Sequence, residues 1–358
     1  MSSPYAQLPP RNFWRTGVSE QHPLTISDLY RKRFSILPNT RIATAGSCFA
    51  QHIATHLRRN GYTVIDAEPA PPGLSPEIAR EYGYGMFSAR YANVYCMRQM
   101  LQIAQEAYGT FQPADPIWTR DGRFFDAMRP SVEPGGLASA DSVRAHRASH
   151  LRHVRKVLQT ADLFVFTFGL TEAWVHRETG TCYPTAPGTI AGSYDPDTHI
   201  FKNFRFSEIY ADFVSFRALI RRRNPGVKFL VTVSPVPLTA TASSNHVLQA
   251  STYSKSVLRA VAGQLYEEFD DVDYFPSYEM VASPFSKGFF FESNLRSVNA
   301  GGVEAVMRVF FSEHPAHTVA EKDVTANPAL AKAKSAAKRK RLREQVVCEE
   351  ELLEAFAE

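Results

Sequence analysis

Two nucleophilic side chains, Ser47 and Cys48, stand side by side in the run Ala45-Gly46-Ser47-Cys48-Phe49-Ala50. A hydroxyl or thiol at the joint between a strand and a helix sits at the helix N-terminus. The positive end of the helix dipole there favours an alkoxide or thiolate, the form that attacks an acyl carbon. Gly46 permits the tight turn such a joint needs. Free backbone N–H groups of residues 47–49 could hold an oxyanion. Both residues also have structural roles open to them, Ser47 as a helix N-cap and Cys48 as a small buried side chain.

A second polar group follows a continuous apolar run in Thr167-Phe168-Gly169-Leu170-Thr171-Glu172-Ala173-Trp174. Thr171 and Glu172 come directly after a buried strand, so they either face a cleft or cap a following helix. A third exit, Val233-Ser234-Pro235-Val236-Pro237, is stiffened by its prolines and reads as scaffold. A general base must come from elsewhere. His246 follows a strand by one loop, His52 lies one helical turn beyond Cys48, and His176 follows Glu172. His146, His150 and His153 share a helix, but no Cys or carboxylate stands at metal-ligand spacing, so neither metal nor cofactor is expected. Trp118, Trp174 and Tyr183 are candidates for stacking on sugar rings.

The elements that must position these groups are legible in the periodicity. Arg41 to Ala45 reads as a strand, Phe49 to Asn60 as a helix closed by Gly61, and Tyr62 to Asp66 as a second strand. Such a strand–helix–strand unit signals a parallel sheet. Helices are expected over Ser27 to Arg33, Asn93 to Tyr108, Asp141 to Thr160, Phe206 to Arg223, Thr252 to Phe269 and Val303 to Phe311. Further strands are expected at Asp162 to Phe168, Val227 to Val233 and Asp273 to Phe275. Five strands alternating with helices predict an α/β fold. It is a three-layer α/β/α sandwich on a mostly parallel, five-stranded, flavodoxin-like sheet. Long loop insertions at 67–90, 110–140 and 176–205 are rich in turn residues and aromatics, and are placed to cap the cleft.

The 358 residues divide into an irregular Pro-punctuated arm over 1–40, an α/β domain over 41–319 and a charged tail over 320–358. The tail is basic from Ala329 to Arg343 and acidic to Glu358, and it reads as a flexible or helical appendage. The composition, 44% hydrophobic and 21% charged, is that of an ordinary soluble globular chain. A net charge of +4 is weak for nucleic-acid binding. Four cysteines, none at CxxC spacing, suit a reducing compartment better than a disulfide framework. Without a secretory leader or a bilayer-length apolar stretch, the expected location is the cytoplasm. No dinucleotide or P-loop fingerprint occurs.

The motif and several further segments resemble the bacterial GSCFA family. These are Ile42 to His52, Phe168 to Trp174, Thr232 to Val236, Ser254-Lys255 and Tyr274 to Glu279, in family order over roughly residues 10–312. That family is grouped with the SGNH (GDSL-like) hydrolases. The resemblance implies their flavodoxin-like fold, acyl-ester hydrolysis or transfer, a link to polysaccharide biosynthesis and a glycan-type or small-molecule ester as partner. Laid on Gly-Asp-Ser, the pattern Gly46-Ser47-Cys48 puts the nucleophile on Cys48, with Ser47 as the fallback. The oxyanion motif Gly-x-Asn falls on Gly169-Leu170-Thr171, where Thr171 replaces an amide by a hydroxyl. The second hydrolase block corresponds loosely to Gly85 to Asn93.

One block departs from the pattern. The Asp-x-x-His of the hydrolases falls on Asn294 and Ser297 within Glu292 to Asn299. Neither can act as a base or orient one. Two readings remain: an acyl-ester hydrolase or O-acyltransferase with Cys48, Ser47, Thr171, Glu172 and His246 as catalytic candidates, or a degenerate hydrolase fold that binds an acylated glycan or sugar nucleotide without turnover. Gly46, Gly169, Asn93 and Trp174 are substrate-binding candidates in either case.

Overall fold

The computed structural model describes residues 3–315 and 348–357. Along the chain come β1 (Ile42–Gly46), α1 (Cys48–Arg59), α2 (Pro76–Glu81), α3 (Met97–Ala107), β2 (Ile117–Arg120), β3 (Arg123–Asp126) and α4 (Ala140–Thr160). Then follow β4 (Leu163–Phe168), β5 (Glu172–His176), β6 (Cys182–Tyr183), β7 (His199–Asn203), α5 (Phe206–Arg221), β8 (Lys228–Val233), α6 (Val247–Glu268), β9 (Val272–Tyr274), α7 (Ser277–Ala282) and α8 (Ala300–Glu313).

The central sheet is parallel, in the order β1-β4-β8-β9. Period-two alternation splits its side chains between two cores. Phe164, Phe166 and Phe168 of β4 join α3, α4, α5 and α6 on one face, whereas Leu163 and Val165 join α1, α7 and α8 on the other. This is the expected three-layer sandwich. The expected count of five strands is corrected to four. Tyr62 to Asp66 makes a single parallel bridge, Val64 to Ile42, and the next contact of that segment is Ala67 N–H to the Ser88 carbonyl in the loop. Its chain leaves the sheet before a ladder can form.

Ser27 to Arg33 is bent chain rather than the expected helix. Its groups bond across space instead. Tyr30 donates to Asp273 Oδ2 at 2.9 Å, and Arg33 Nη1 donates to the carbonyls of Tyr266, Phe269 and Val272 at 2.6, 2.7 and 3.0 Å. Ile26, Tyr30 and Ile36 enter the core.

The insertions carry structure of their own. Asp121 and Gly122, both at positive φ (51° and 71°), join β2 and β3 in a tight hairpin. Residues 172–203 hold a three-stranded antiparallel sheet, β6-β5-β7. The segment after β4 is therefore strand, not the helix that Thr171 and Glu172 would have capped. Among the described residues no helix is long and apolar enough to cross a membrane. The basic run Ala329 to Arg343 lies outside the described residues.

Candidate active site

The turn between β1 and α1 is built by close approach of two strand ends. Gly46 has φ +140°, and a Cβ there would lie 2.7–2.9 Å from Thr167 of β4. A Cβ on Gly169 would lie 2.9 Å from both the Ser47 Cβ and the Tyr95 carbonyl. The two glycines thus let the exits of β1 and β4 close on each other, with Ser47 between them.

Ser47 precedes α1 in extended conformation, yet its side chain makes no cap bond. Its hydroxyl is buried without a hydrogen-bond partner, as are those of Thr167 and Thr171. The Ser47 N–H donates to the Thr167 carbonyl at 3.3 Å, which removes it from the expected oxyanion donors. The N–H groups of Cys48 and Phe49 stay available to an oxyanion, because a first helical turn offers them no intrahelical acceptor. Cys48 is the first residue of α1, 5% exposed, at the carboxyl end of the sheet where ligands of α/β folds bind.

A cavity of ≈ 380 Å³ opens on Cys48, lined also by His52, Val236, Glu292, Arg296 and Ser297. The block that replaces Asp-x-x-His therefore does reach Cys48, but with a cation. Asn294 Oδ1 accepts from the N–H groups of Arg296 and Ser297 at 3.0 and 2.9 Å, and its Nδ2 donates to Ser297 Oγ at 3.0 Å. Asn294 and Ser297 form a turn that presents Arg296. In the sequence Arg296 is the one basic residue of that block, and a cation is not what a general base calls for.

Lys255 is the second cation. It is 4% exposed on α6 and donates to the Gly169 carbonyl at 2.6 Å. Its neighbour Ser254 accepts from the Thr171 N–H at 3.1 Å. Burial lowers Lys255 to about 8. His52, half-buried beside Cys48, is lowered to about 4 by desolvation and then by the charges of His56, Arg59 and Arg80, so it is neutral at pH 7.

The C-terminal residues complete the surroundings. Cys348 hydrogen-bonds to Cys48, and Arg296 Nη2 approaches Cys348 Sγ at 3.6 Å. That hydrogen bond first, and the Arg296 charge after it, hold Cys348 down at about 6, while the same bond and burial push Cys48 well up. Glu349 is 5% exposed and accepts from Tyr95 at 2.8 Å, from Ser131 at 2.7 Å and from Asn93. Glu350 Oε2 lies 3.4 Å from Arg296, and burial pushes its carboxyl up to about 8.

The remaining candidates divide between this cleft and elsewhere. Asn93 is buried, with its amide oxygen held by Gln51 at 3.0 Å. Glu172 accepts from Thr241 at 2.9 Å, and burial raises its carboxyl. Glu172, Trp174 and Tyr183 line a second cavity of ≈ 520 Å³ with Tyr194, Phe201 and Leu353. Trp174 meets Tyr194 and Phe201 edge-on, at 5.1 and 5.9 Å. Trp118 is buried against Tyr183 in a small core and serves packing. His246 is exposed, and its Nδ1 caps α6 by accepting from the Leu248 N–H at 3.2 Å. His176 pairs across β5 and β7 with His199, 3.8 Å from Asp115. Of the histidines on α4, His150 bonds to Glu68 at 2.7 Å, a carboxylate that sequence spacing did not reveal. Among the described residues no group of three or more His, Cys, Asp or Glu gathers to hold a metal.

Comparison with known proteins bears on the family. A search of curated proteins returns no match. A crystal structure of a mutant acetyl esterase with acetate ion superposes at a TM-score of 0.33 and 10% identity, covering 76% of this chain and 95% of that one. The GSCFA family model matches residues 41–310, from the start of β1 into α8. The turn Gly46-Ser47-Cys48, its partner exit at Gly169, Lys255 and Arg296 lie within that span, Cys348 to Glu350 lie beyond it, and the chain belongs to the GSCFA family.

Proposed function

We propose that the chain is an acyl-ester hydrolase or O-acyltransferase that works through a thioester on Cys48, with a glycan-type ester as substrate. The observation that carries this reading is Cys48 at the first position of α1, beside Arg296 and opening on a cavity. In the first step the Cys48 sulfur attacks the acyl carbon. A C–S bond forms, the ester C–O bond breaks, and the thiol proton ends on the departing alcohol. In the second step water or another alcohol attacks the thioester and returns the thiol.

A serine needs a base to become a nucleophile, whereas a cysteine needs only an environment that favours its thiolate. With residues 348–356 seated, the hydrogen bond to Cys348 and then burial push the Cys48 thiol well up, and the Arg296 charge only opposes them. The thiolate therefore forms when that segment withdraws, with Lys255 as a second buried cation nearby. Once that segment has withdrawn, these two cations are what the site offers the sulfur in place of an Asp–His pair. The aromatic cavity, with half-buried Trp174 and exposed Tyr194 on its wall, is suited to stack on sugar rings, whereas Tyr183 is buried.

The second reading is binding without turnover. It is favoured by Asn294 and Ser297, which bond to each other rather than to an imidazole. The deciding experiment treats the full chain, its Glu349→Gln variant and Cys48→Ala with millimolar 4-nitrophenyl acetate. Peptide mapping then locates the acyl group. An adduct on Cys48, absent from Cys48→Ala, is expected. If neither Cys48-containing chain acquires one while calorimetry shows a glycan ester bound and unconsumed, the binding reading stands instead.

A further inference from the structure

Glu349 is a buried carboxylate whose three partners are all neutral donors. Tyr95 and Asn93 share Oε2, and Ser131 takes Oε1. Burial pushes the Tyr95 phenol well up, so it keeps its proton and donates. The Asn93 amide is turned by Gln51, which donates to Oδ1 at 3.0 Å and leaves the NH₂ facing Glu349. The cradle offers hydrogens to two oxygens of one planar group, and no cation lies among its donors. That geometry fits a carboxylate, whose two oxygens accept only, better than a phosphate dianion that calls for cations.

The occupant is held by few other means. Residues 349–356 form one short 3₁₀ helix. At ~2 Å per residue it runs roughly 16 Å, enough to carry the chain from Cys48 to the aromatic cavity. Leu353 and Phe356 line that cavity, yet Phe356 stays 71% exposed and Leu352 49%. The apolar anchors are shallow, so the polar contacts of Glu349 and the ion pairs of Arg296 carry the docking. The segment also puts Cys348 against Cys48 and leaves Cys48 as the protonated partner.

We propose that Asn93, Tyr95 and Ser131 form a carboxylate-binding subsite beside Cys48. The chain's own residues 348–356 fill it through Glu349, and the molecules acted on at Cys48 present a carboxylate to the same donors. The last clause rests on Cys48 being the reacting group; the subsite and its occupant do not.

Both parts are read by the rate at which iodoacetamide labels Cys48, followed by peptide mapping. Turnover is not needed, so a chain that never acylates still gives an answer. All chains are full length and carry Cys348→Ser, so the second thiol neither reacts nor competes. Glu349→Gln should speed labelling tenfold or more, and Ser131→Ala should do so with an unchanged melting temperature. In the Glu349→Gln chain, a peptide of residues 348–357 with serine at its first position should slow labelling again, whereas the same peptide with glutamine for Glu349 should not. Acetyl-glutamate amide should slow it too, and acetyl-glutamine amide should not. Equal labelling rates with and without Glu349 would overturn the occupancy. Equal protection by the glutamate and glutamine amides would overturn the carboxylate subsite.

Discussion

Lys255 donates to the carbonyl of Gly169 at 2.6 Å, and Gly169 in turn lies so close to Ser47 that a Cβ on it would come within 2.9 Å of the serine Cβ. One buried cation therefore braces the exit of β4 against the turn that holds Cys48. Replacing Lys255 by Met should leave the Gly169 carbonyl buried and unpaired, at a cost of about 1–3 kcal/mol. The deficit should depend on pH. Burial lowers Lys255 to about 8 from an ordinary 10.5, so between those values the unfolded chain holds more protons than the folded one. Wild-type stability from this group is reduced below pH 8 and recovers as pH rises through the window. Thermal melts at pH 7.5 and pH 10 should show the gap between wild type and Lys255→Met widening at the higher pH.

Gly169→Ala tests the same closure from the other side. The added methyl meets Ser47 and the Tyr95 carbonyl at 2.9 Å, and backbone cannot give way cheaply. A loss of about 1–3 kcal/mol is expected from overpacking. Gly226→Ala, with open space around its Cβ and, like Gly169, no positive φ, is the control for the loss of a glycine alone. If both variants melt alike, the close approach of the two exits does not matter.

Arg296 should be felt in the reactivity of Cys348. The hydrogen bond from Cys48 first, and the guanidinium second, hold the Cys348 thiol at about 6, against an ordinary 9.0. Arg296→Met removes the charge and also loosens the segment that holds Cys348 against Cys48, and both effects withdraw support from the thiolate. The pH profile for alkylation of Cys348 should therefore move to higher pH by a unit or more. An unmoved profile would mean that the guanidinium does not stabilise this thiolate.

The turn at Cys48 was legible because its causes are local. An apolar run, a glycine and an amphipathic helix follow one another within residues 41–60. The buried β4 and β8 were equally plain, since a strand covered on both faces is apolar throughout. Tyr62 to Asp66 has strand composition, but its pairing depends on where the following loop leads, and Ser88 draws Ala67 away. The hairpin over 117–126 announced only its turn, Asp121-Gly122; four-residue strands carry too little pattern to read. Asn93 was reached through a loose match and proves to face Glu349, whereas Arg296, Lys255 and the acidic end of the tail are visible in the sequence but carry no sign there that they meet Cys48. Cys348 lies 300 residues from Cys48, and no periodicity links two such positions.

The arm should matter more than its irregular backbone suggests. Arg33 satisfies three carbonyls at the ends of α6 and β9, and Tyr30 bonds to Asp273. Arg33→Met should destabilise the fold by about 1–3 kcal/mol, because three half-buried carbonyls lose a charged donor. The labelling rate of Cys48 should stay as in wild type, since Arg33 lies on the far edge of the sheet from β1. A change in that rate without a change in melting would contradict this division.

The Asn294–Ser297 turn offers a direct test of why the site lacks a base. Asn294 Oδ1 accepts two backbone N–H bonds, and an aspartate in its place can accept the same two. Ser297 already lines the cavity on Cys48, so a histidine there projects an imidazole toward the thioester that Cys48 is proposed to form. Asn294→Asp with Ser297→His would thus rebuild the hydrolase pair on a turn that still presents Arg296. If water attack on the thioester is slow for want of a base, the double variant should release acyl groups from Cys48 ten- to a thousandfold faster, within the range of general-base catalysis. Release should gain a dependence on a group titrating near the ordinary histidine value. Acylation by 4-nitrophenyl acetate should change less, because the attacking group in that step is the Cys48 sulfur and not water. If release is unchanged while acylation proceeds, the missing pair is not what limits hydrolysis, and transfer to an alcohol acceptor becomes the better description of the second step.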